Sequence, residues 1–294
     1  MLRWYCRKTF IFWQRLGLHI TPCHYWQPVP DTRQLDDGLW ENCSSLVGID
    51  IDDGTQLDLL SHLKTAFKQE YDQFPREKTG VPCDYYLNNG FFEAVDAEIL
   101  YCMIRHFRPG RLIEIGSGYS TLLAAKALLN NKKNYDDYSS EFTVIDPFPN
   151  RILRKGITGV SHLVSEPVQK VRLAEFEKLR ENDMLLIDSS HVLQIGSDVE
   201  YEYLEILPRL SNGVLVSFHD IFLPAEYHKV WVMKDHCFWN EQYVLQAFLA
   251  FNSSFRILWA GSYMHLKHSE RLKDAFPSYN QERDWPGSFW IRRI

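Results

Sequence analysis

No apolar run in this chain approaches the roughly 20 residues that a membrane span requires, so no transmembrane segment is expected. No C-x-x-C pair occurs among the six cysteines, Cys6, Cys23, Cys43, Cys83, Cys102 and Cys237. Thiols scattered in this way give neither a zinc ribbon nor a disulfide framework, and free cysteines in a reducing cytoplasm are the expectation. Positive charge is in deficit too: the net charge is −6, which argues against a general nucleic-acid binder with its basic footprint. No repeat period is visible. What the chain does have is 45% hydrophobic residues over 294 positions, enough for a packed core, and that excludes global disorder.

The N-terminal stretch departs from this average. Met1 to Leu18 carries Arg3, Arg7, Lys8 and Arg15 among Trp4, Tyr5, Phe10, Ile11, Phe12 and Trp13, with no acidic residue. It lacks the unbroken apolar stretch and small-residue cleavage site of a signal peptide. It reads as a helix capping the main domain with its aromatic side, and a rival is an interfacial helix on anionic lipid. Pro22 to Asp53 reads as extended loop. Gln56 to Phe74 reads as a helix, with Leu57, Leu60, Leu63, Phe67 and Tyr71 at helical spacing, and Pro75–Pro82 as a link. Residues 1–80 are therefore expected to form an N-terminal helical and loop extension, and 81–294 the main domain.

From there strand and helix patterns alternate. Phe91–His106 reads as a helix stopped by Pro109-Gly110. Arg111–Ile115 reads as a strand, Ser120–Leu129 as a helix and Asn130–Ser140 as a surface insertion. Strands follow at Phe142–Ile145, His162–Val164, Met184–Ile187, Val214–Phe218, Phe255–Trp259 and Ser288–Arg292, with helices at Val168–Arg180, Asp198–Leu210 and Asn240–Phe251. Fully apolar strands joined through helices imply parallel pairing with right-handed crossovers. The expected fold is α/β: a Rossmann-like, doubly wound, seven-stranded sheet, mostly parallel, with the last strand antiparallel.

Chemistry clusters where the strands stop. Leu112-Ile-Glu-Ile-Gly-Ser-Gly-Tyr-Ser120 follows the first strand, and its glycines permit a sharp turn and close ligand approach. Asp146 ends the second strand, where an acid can hold ribose hydroxyls. A dinucleotide fingerprint would require a third glycine at position 121, which is Thr121. Glu114, two residues before the first glycine, suits a ligand with a positive amino group better than a pyrophosphate. Acid-x-Gly-x-Gly in this setting resembles the first motif of class I methyltransferases, a likeness running from about Leu87 to the C-terminus. The resemblance implies S-adenosylmethionine as cofactor, held by Glu114, Gly116, Ser117, Gly118, Tyr119 and Ser120, with Asp146 at the ribose. It also implies that the loop Ser165-Glu166-Pro167 lies against the adenine, with Glu166 among the contacts. Tyr86, Asn88 and Asn89 are further candidates for cofactor contact.

Ile187-Asp-Ser-Ser-His191 and Ser217-Phe-His-Asp220 also sit at strand ends. If the strand order is that of class I methyltransferases, Asp188, His219 and Asp220 converge on one cleft, where two carboxylates and an imidazole call for a positive partner. The pair of strand ends looks like the divalent-metal site of catechol-type and macrolide-sugar O-methyltransferases. The resemblance implies Mg²⁺ or Mn²⁺ held by Asp188, His219 and Asp220, with Asp188 also beside the cofactor. His191 matches the general base of the macrolide-sugar branch, and His219 departs from the family pattern, which has an acid there. Aromatics from Phe222-Leu-Pro-Ala-Glu-Tyr227 to Trp239-Asn-Glu-Gln-Tyr243 would wall the acceptor pocket or form a lid. The stretch from Asp188 to Tyr243 resembles a broad bacterial group of uncharacterised methyltransferases.

The reading is an S-adenosylmethionine-dependent O-methyltransferase acting on a sugar or another hydroxylated small molecule, not on nucleic acid, with metal assistance and with His191 and Asp188 as catalytic residues. Self-association into a homo-oligomer stays open. The rivals are a nicotinamide-dependent oxidoreductase, a cephalosporin hydroxylase-like enzyme on the same scaffold, and a non-catalytic module contacting a membrane or partner through residues 1–18.

Overall fold

The computed structural model describes residues 2–81 and 83–294, without the side chains of residues 2 and 3. Met1, in the expected cap, and Pro82, at the end of the expected link, lie outside the described residues. The chain forms two compact units. The smaller comprises residues 2–43 with 226–238, and the larger 44–225 with 239–294.

In the smaller unit, helix α1 (Leu2–Arg15) opens the chain. The two segments of this unit are pinned at Trp40. Its indole Nε1 donates to the Tyr227 carbonyl at 2.9 Å, and Lys229 lies 5.4 Å above its ring while reaching Asp37 at 2.6 Å.

In the larger unit the elements in order are α2 (Asp53–Tyr71), α3 (Asp96–Phe107), β1 (Arg111–Ile115), α4 (Tyr119–Asn134), β2 (Glu141–Ile145), β3 (His162–Val164), β4 (Met184–Ile187), β5 (Leu215–Phe218), α5 (Glu241–Leu249), β6 (Phe255–Ala260), α6 (Gly261–Ala275) and β7 (Phe289–Arg293). The strands form one sheet in the order β3-β2-β1-β4-β5-β7-β6. The first five in that order run parallel, and β7 is antiparallel to both its neighbours. The expected Rossmann-like, doubly wound sheet is the observed one.

Period-two alternation explains why these strands read as unbroken apolar runs. Leu112, Met184, Leu186 and Leu215 point into the core on one face, while Ile113, Leu185, Ile187 and Val216 point into the other. Both faces are covered, so both sets are apolar, and Glu114 of β1 and Ser217 of β5 are buried polar exceptions.

Helix α2 is tied to the rest of the larger unit by a part-buried polar clamp. Arg105 of α3 donates through Nε and Nη2 to both oxygens of Glu70, and Tyr101 donates to the same carboxylate. Two parallel N–H···O bonds from a planar guanidinium fix distance and angle together. The helix expected in the N-terminal extension therefore packs with the sheet.

Three local expectations change. The helix expected over Val168–Arg180 is broken into a turn at Val168–Lys170 and a short helix at Leu173–Phe176, with extended backbone at Val171 and Arg172 between them. The expected surface insertion after Leu129 begins as five more residues of α4, because Asn131 is buried and donates to the Ile104 carbonyl. Helix α6 has no counterpart in the sequence reading: it is polar, has no side-chain N-cap, and is interrupted at His268.

Candidate active site

The C-terminal tips of β1, β2, β4 and β5 form one edge, and each tip delivers polar groups to it. Open α/β sheets bind ligands at such an edge, where strand order reverses. Here it reverses at β1, which lies between β2 and β4.

At the tip of β1 the chain turns at Gly116, whose φ is +91°. A Cβ there would lie 1.8 Å from the Asp188 carbonyl oxygen, so only glycine allows β1 and β4 to close up at this point. Gly118 differs: its backbone is extended, and a Cβ would meet nothing within 4 Å. The space beside it belongs to a cavity of about 330 Å³, lined among others by Tyr86, Tyr119, Leu122 and Asn150.

Ser117 donates its hydroxyl to Asp146 at the tip of β2, and the other Asp146 oxygen accepts the Phe148 amide at 2.7 Å. Gly116, Ser117, Asp146 and Asp188 line a cleft of about 590 Å³, together with Phe148, Gln169 and Ile195. That volume is in the range of a cofactor-sized ligand.

The other expected cofactor contacts fall elsewhere. Glu114 is fully buried beneath the turn and accepts from Ser120 at 2.6 Å, and its second oxygen has no partner. Burial pushes its carboxyl up to about 8, against the lowering effect of hydrogen bonds from Ser120 and Thr121. Glu114 and Ser120 thus support the turn from inside. Glu166 is exposed, and the neighbouring Pro167 and Val168 line the cleft instead. Tyr119 faces the smaller cavity with Gly118, and its hydroxyl is 3.0 Å from that of Tyr86. Asn88 and Asn89 are taken up in local structure: Asn88 donates to Glu77, and Asn89 bonds the backbone of Phe91 and Phe92.

The tips of β4 and β5 carry charge. His191 Nε2 lies 3.5 Å from both Asp188 Oδ1 and Asp220 Oδ2. Its Nδ1 is 2.9 Å from Oε2 of Glu241, a fully buried carboxylate that also accepts from Tyr203 at 3.1 Å. The Trp239 ring covers the imidazole at 4.6 Å. Burial opposes charge on His191, but Asp188, Glu241 and Asp220 outweigh it and lift the imidazole to about 10. Burial also pushes Glu241 up while His191 draws it down. With three carboxylates against one imidazole, the upward direction of His191 stands.

His219 sits between carboxylates as well. Its Nδ1 is 3.5 Å from Asp188 and 3.6 Å from Asp220, and its Nε2 is 3.5 Å from Asp96. Burial again works against its charge, and Asp220 and Asp188 overcome it, raising its pKa. Asp188 is lowered: burial would raise it, but His219 and His191 prevail. Both His191 and Asp220 hold left-handed backbone, with φ of +60° and +55°, a strained conformation for these residues that concentrates at functional sites.

Asp188, Asp220 and His191 each bring one donor atom within 4.8 Å of the others, the geometry of a candidate cation site among the described residues. The sequence names Asp188, Asp220 and His219 for that role, so the structure adds His191 to the competition for the third position. Two carboxylates and one imidazole are a donor set that fits Mg²⁺ or Mn²⁺.

Sequence reasoning missed Glu241 and Asp96. Glu241 lies inside the aromatic stretch Trp239–Tyr243, where nothing in the sequence sets it apart from a pocket wall. Asp96 accepts the Gly287 and Ser288 amides at 2.8 and 2.9 Å, a partnership that only the fold brings about.

Known proteins resemble the chain over this region. A family model described as a methyltransferase domain matches residues 113–221, a span that includes the glycine turn, Asp146, Asp188, His191, His219 and Asp220. An uncharacterised protein of Archaeoglobus fulgidus is 34% identical over 176 residues, 58% of this chain and 77% of the relative. Among solved structures, a Podospora anserina methyltransferase with bound S-adenosylhomocysteine is 16% identical, covering 83% of this chain and 89% of its own, at a TM-score of 0.42. The TDP-rhamnose 3'-O-methyltransferase of calicheamicin biosynthesis is 14% identical, covering 83% and 96%, at 0.41.

Proposed function

The chain belongs to the methyltransferase-domain family, and from that membership we propose that it transfers the methyl group of S-adenosylmethionine to a hydroxyl of a sugar or another small hydroxylated acceptor. One observation carries the reading: the cleft that begins at the glycine turn and Asp146 ends at Asp188, beside the His191–Glu241 pair.

In this reading the nucleoside lies along Gly116 and Ser117, with the ribose at Asp146 and the sulfonium end toward Asp188. The ribose hydroxyls take over the Asp146 oxygen that Ser117 otherwise occupies. The acceptor hydroxyl lies at the β4–β5 tips and gives its proton to His191 Nε2 in the neutral form of the imidazole. With the ring lifted to about 10, that form predominates at neutral pH only if a cation on Asp188 and Asp220 offsets their charge. Glu241 holds Nδ1 and so keeps Nε2 aimed at the cleft, as a base needs an orienting partner. Trp239 keeps bulk water off the imidazole. The oxygen then attacks the methyl in line, and most of the acceleration comes from alignment, because the sulfonium is already activated.

Asp188 and Asp220, with His219 beside them, are the residues that would hold a divalent cation. When bound, it would lower the pKa of the acceptor hydroxyl and take over the charge compensation that otherwise keeps His191 protonated.

Calorimetric titration with S-adenosylhomocysteine, with and without Mg²⁺, on wild type and Asp188→Ala tests the reading. Binding to wild type that fails or weakens strongly in the variant supports it, and absence of binding to wild type defeats it. Normal binding that Mg²⁺ never alters removes the metal and leaves the methyltransferase standing. Mg²⁺ affinity lost in His219→Ala but kept in His191→Ala supports His191 as base, and the reverse result makes it a ligand.

A further inference from the structure

We propose that the segment spanning residues 2–30 is a docking surface for an anionic lipid membrane. The proposal is independent of the transfer reaction and rests on three features of the smaller unit.

The first is unspent apolar surface. Of the described α1 side chains only Cys6 is buried, while Trp4 is 65% exposed, Tyr5 55% and Phe12 58%. Leu16, Leu18 and Ile20 continue the exposed apolar run past the helix, and Tyr25 is 89% exposed. Large aromatics left in water at this density mark an interaction surface.

The second is the arrangement of side chains. At about 100° per residue, Tyr5, Cys6, Thr9, Phe10, Phe12 and Trp13 share one half of α1, and Arg7, Lys8 and Arg15 share the other. Trp4 and Ile11 sit among the basic residues, and the Lys8 ammonium lies 5.8 Å over the Trp4 ring. Cys6, Phe10 and Trp13 are turned inward, so the exposed arc is the one on which Trp4, Tyr5, Ile11 and Phe12 lie beside Arg7, Lys8 and Arg15, a mixture of rings and cations that suits the plane of a bilayer headgroup layer. Rings enter the acyl boundary there, and the cationic stems reach up to phosphate. No helix among the described residues is long and apolar enough to cross a membrane, so the contact is peripheral.

The third is charge, and it selects the occupant. Residues 1–30 hold four Lys or Arg and no Asp or Glu, in a chain of net charge −6. An anionic surface attracts this segment and repels the remainder, so it both binds the protein and orients it. A neutral apolar partner would give these cations nothing to do.

Co-sedimentation of the full chain with vesicles decides the matter. We expect binding to vesicles of phosphatidylcholine with about 30% phosphatidylglycerol to exceed binding to pure phosphatidylcholine by about tenfold or more. It should rise with phosphatidylglycerol content and fall as NaCl goes from about 0.1 M to about 1 M. The triple variant Arg7→Glu, Lys8→Glu, Arg15→Glu and the double variant Tyr5→Ser, Phe12→Ser should each lose about tenfold in vesicle affinity, with S-adenosylhomocysteine binding measured alongside as a control for folding. Equal binding to neutral and anionic vesicles overturns the proposal, as does binding to neither. So does a concentration-dependent self-association by sedimentation velocity that these variants abolish without any vesicle binding, since the face would then serve a second copy of the chain. The lipid titration on the unaltered chain keeps the test decisive if a variant fails to fold.

Discussion

The turn after β1 and the tips of β4 and β5 occupy the same edge of one sheet, yet they are built on opposite principles. The turn is made of room. Gly116 lets two strands touch, Gly118 faces open space, and the carboxyl of Glu114 is sealed underneath, where burial favours its neutral form. The β4–β5 tips are made of charge. His191 and His219 stand among Asp96, Asp188, Asp220 and Glu241 at 2.9–3.6 Å, with left-handed backbone at His191 and Asp220. A region that receives a ligand needs an unobstructed backbone, whereas a region that moves a proton needs groups held ready at some conformational cost. Asp188 belongs to both, since its carbonyl abuts Gly116 and its carboxylate faces the imidazoles.

This contrast can be broken by substitution, and the largest effect should come where the two regions touch. Gly116→Ala places a Cβ on the Asp188 carbonyl at a backbone angle alanine resists, and should cost about 3–5 kcal/mol of stability in urea unfolding. A melt close to wild type would mean that the turn yields. Next in size, on the charged side, His191→Ala should lower the rate of S-adenosylhomocysteine release with a hydroxylated acceptor by about 10²–10⁴-fold. Glu241→Gln should lower it by about tenfold to a hundredfold while the donor KM stays within about twofold. If the Gln variant matches wild type, Glu241 does not orient the base.

A third prediction sharpens the contrast through pH. Glu114 has its carboxyl raised from 4.5 to about 8. Below about 4.5 folded and unfolded chains both hold that proton. Between about 4.5 and about 8 only the folded chain does, so its contribution to stability is lost as pH rises through that window. Glu114→Gln, which keeps an acceptor for Ser120, should therefore gain on wild type by about 2–4 kcal/mol in unfolding free energy between pH 5 and 8. A gap that is flat with pH would contradict the buried neutral acid. The smallest effect belongs to Gly118→Ala, which should shift stability by no more than about 0.5 kcal/mol, because its new methyl meets nothing.

The seven strands were legible in the sequence because burial on both faces leaves few polar positions, and β1, β2, β4, β5 and β6 are followed directly by Gly, Asp or His. The same abruptness exposed Asp146, Asp188, His219 and Asp220 as edge residues. Helix α6 was hidden because its pattern is broken at His268 and its surface is largely charged. Glu241 was hidden for another reason. Its partner His191 is 50 positions away, and a buried acid has no local signature distinguishing it from a solvated one. Glu114 was legible as a residue but not in its role, since alternation along β1 decides whether a carboxylate faces a ligand or the underside of its own turn.

The place of β7 has a consequence for how the chain is made. It comes last of the seven strands but lies between β5 and β6, pairing antiparallel with both. Without β7, β6 has no strand partner and β5 keeps only β4, so the amides and carbonyls that β7 satisfies would be left unpaired. A chain truncated before Phe289 would therefore expose two unpaired strand edges, and it should depend on chaperones far more than a chain that includes Phe289–Arg293.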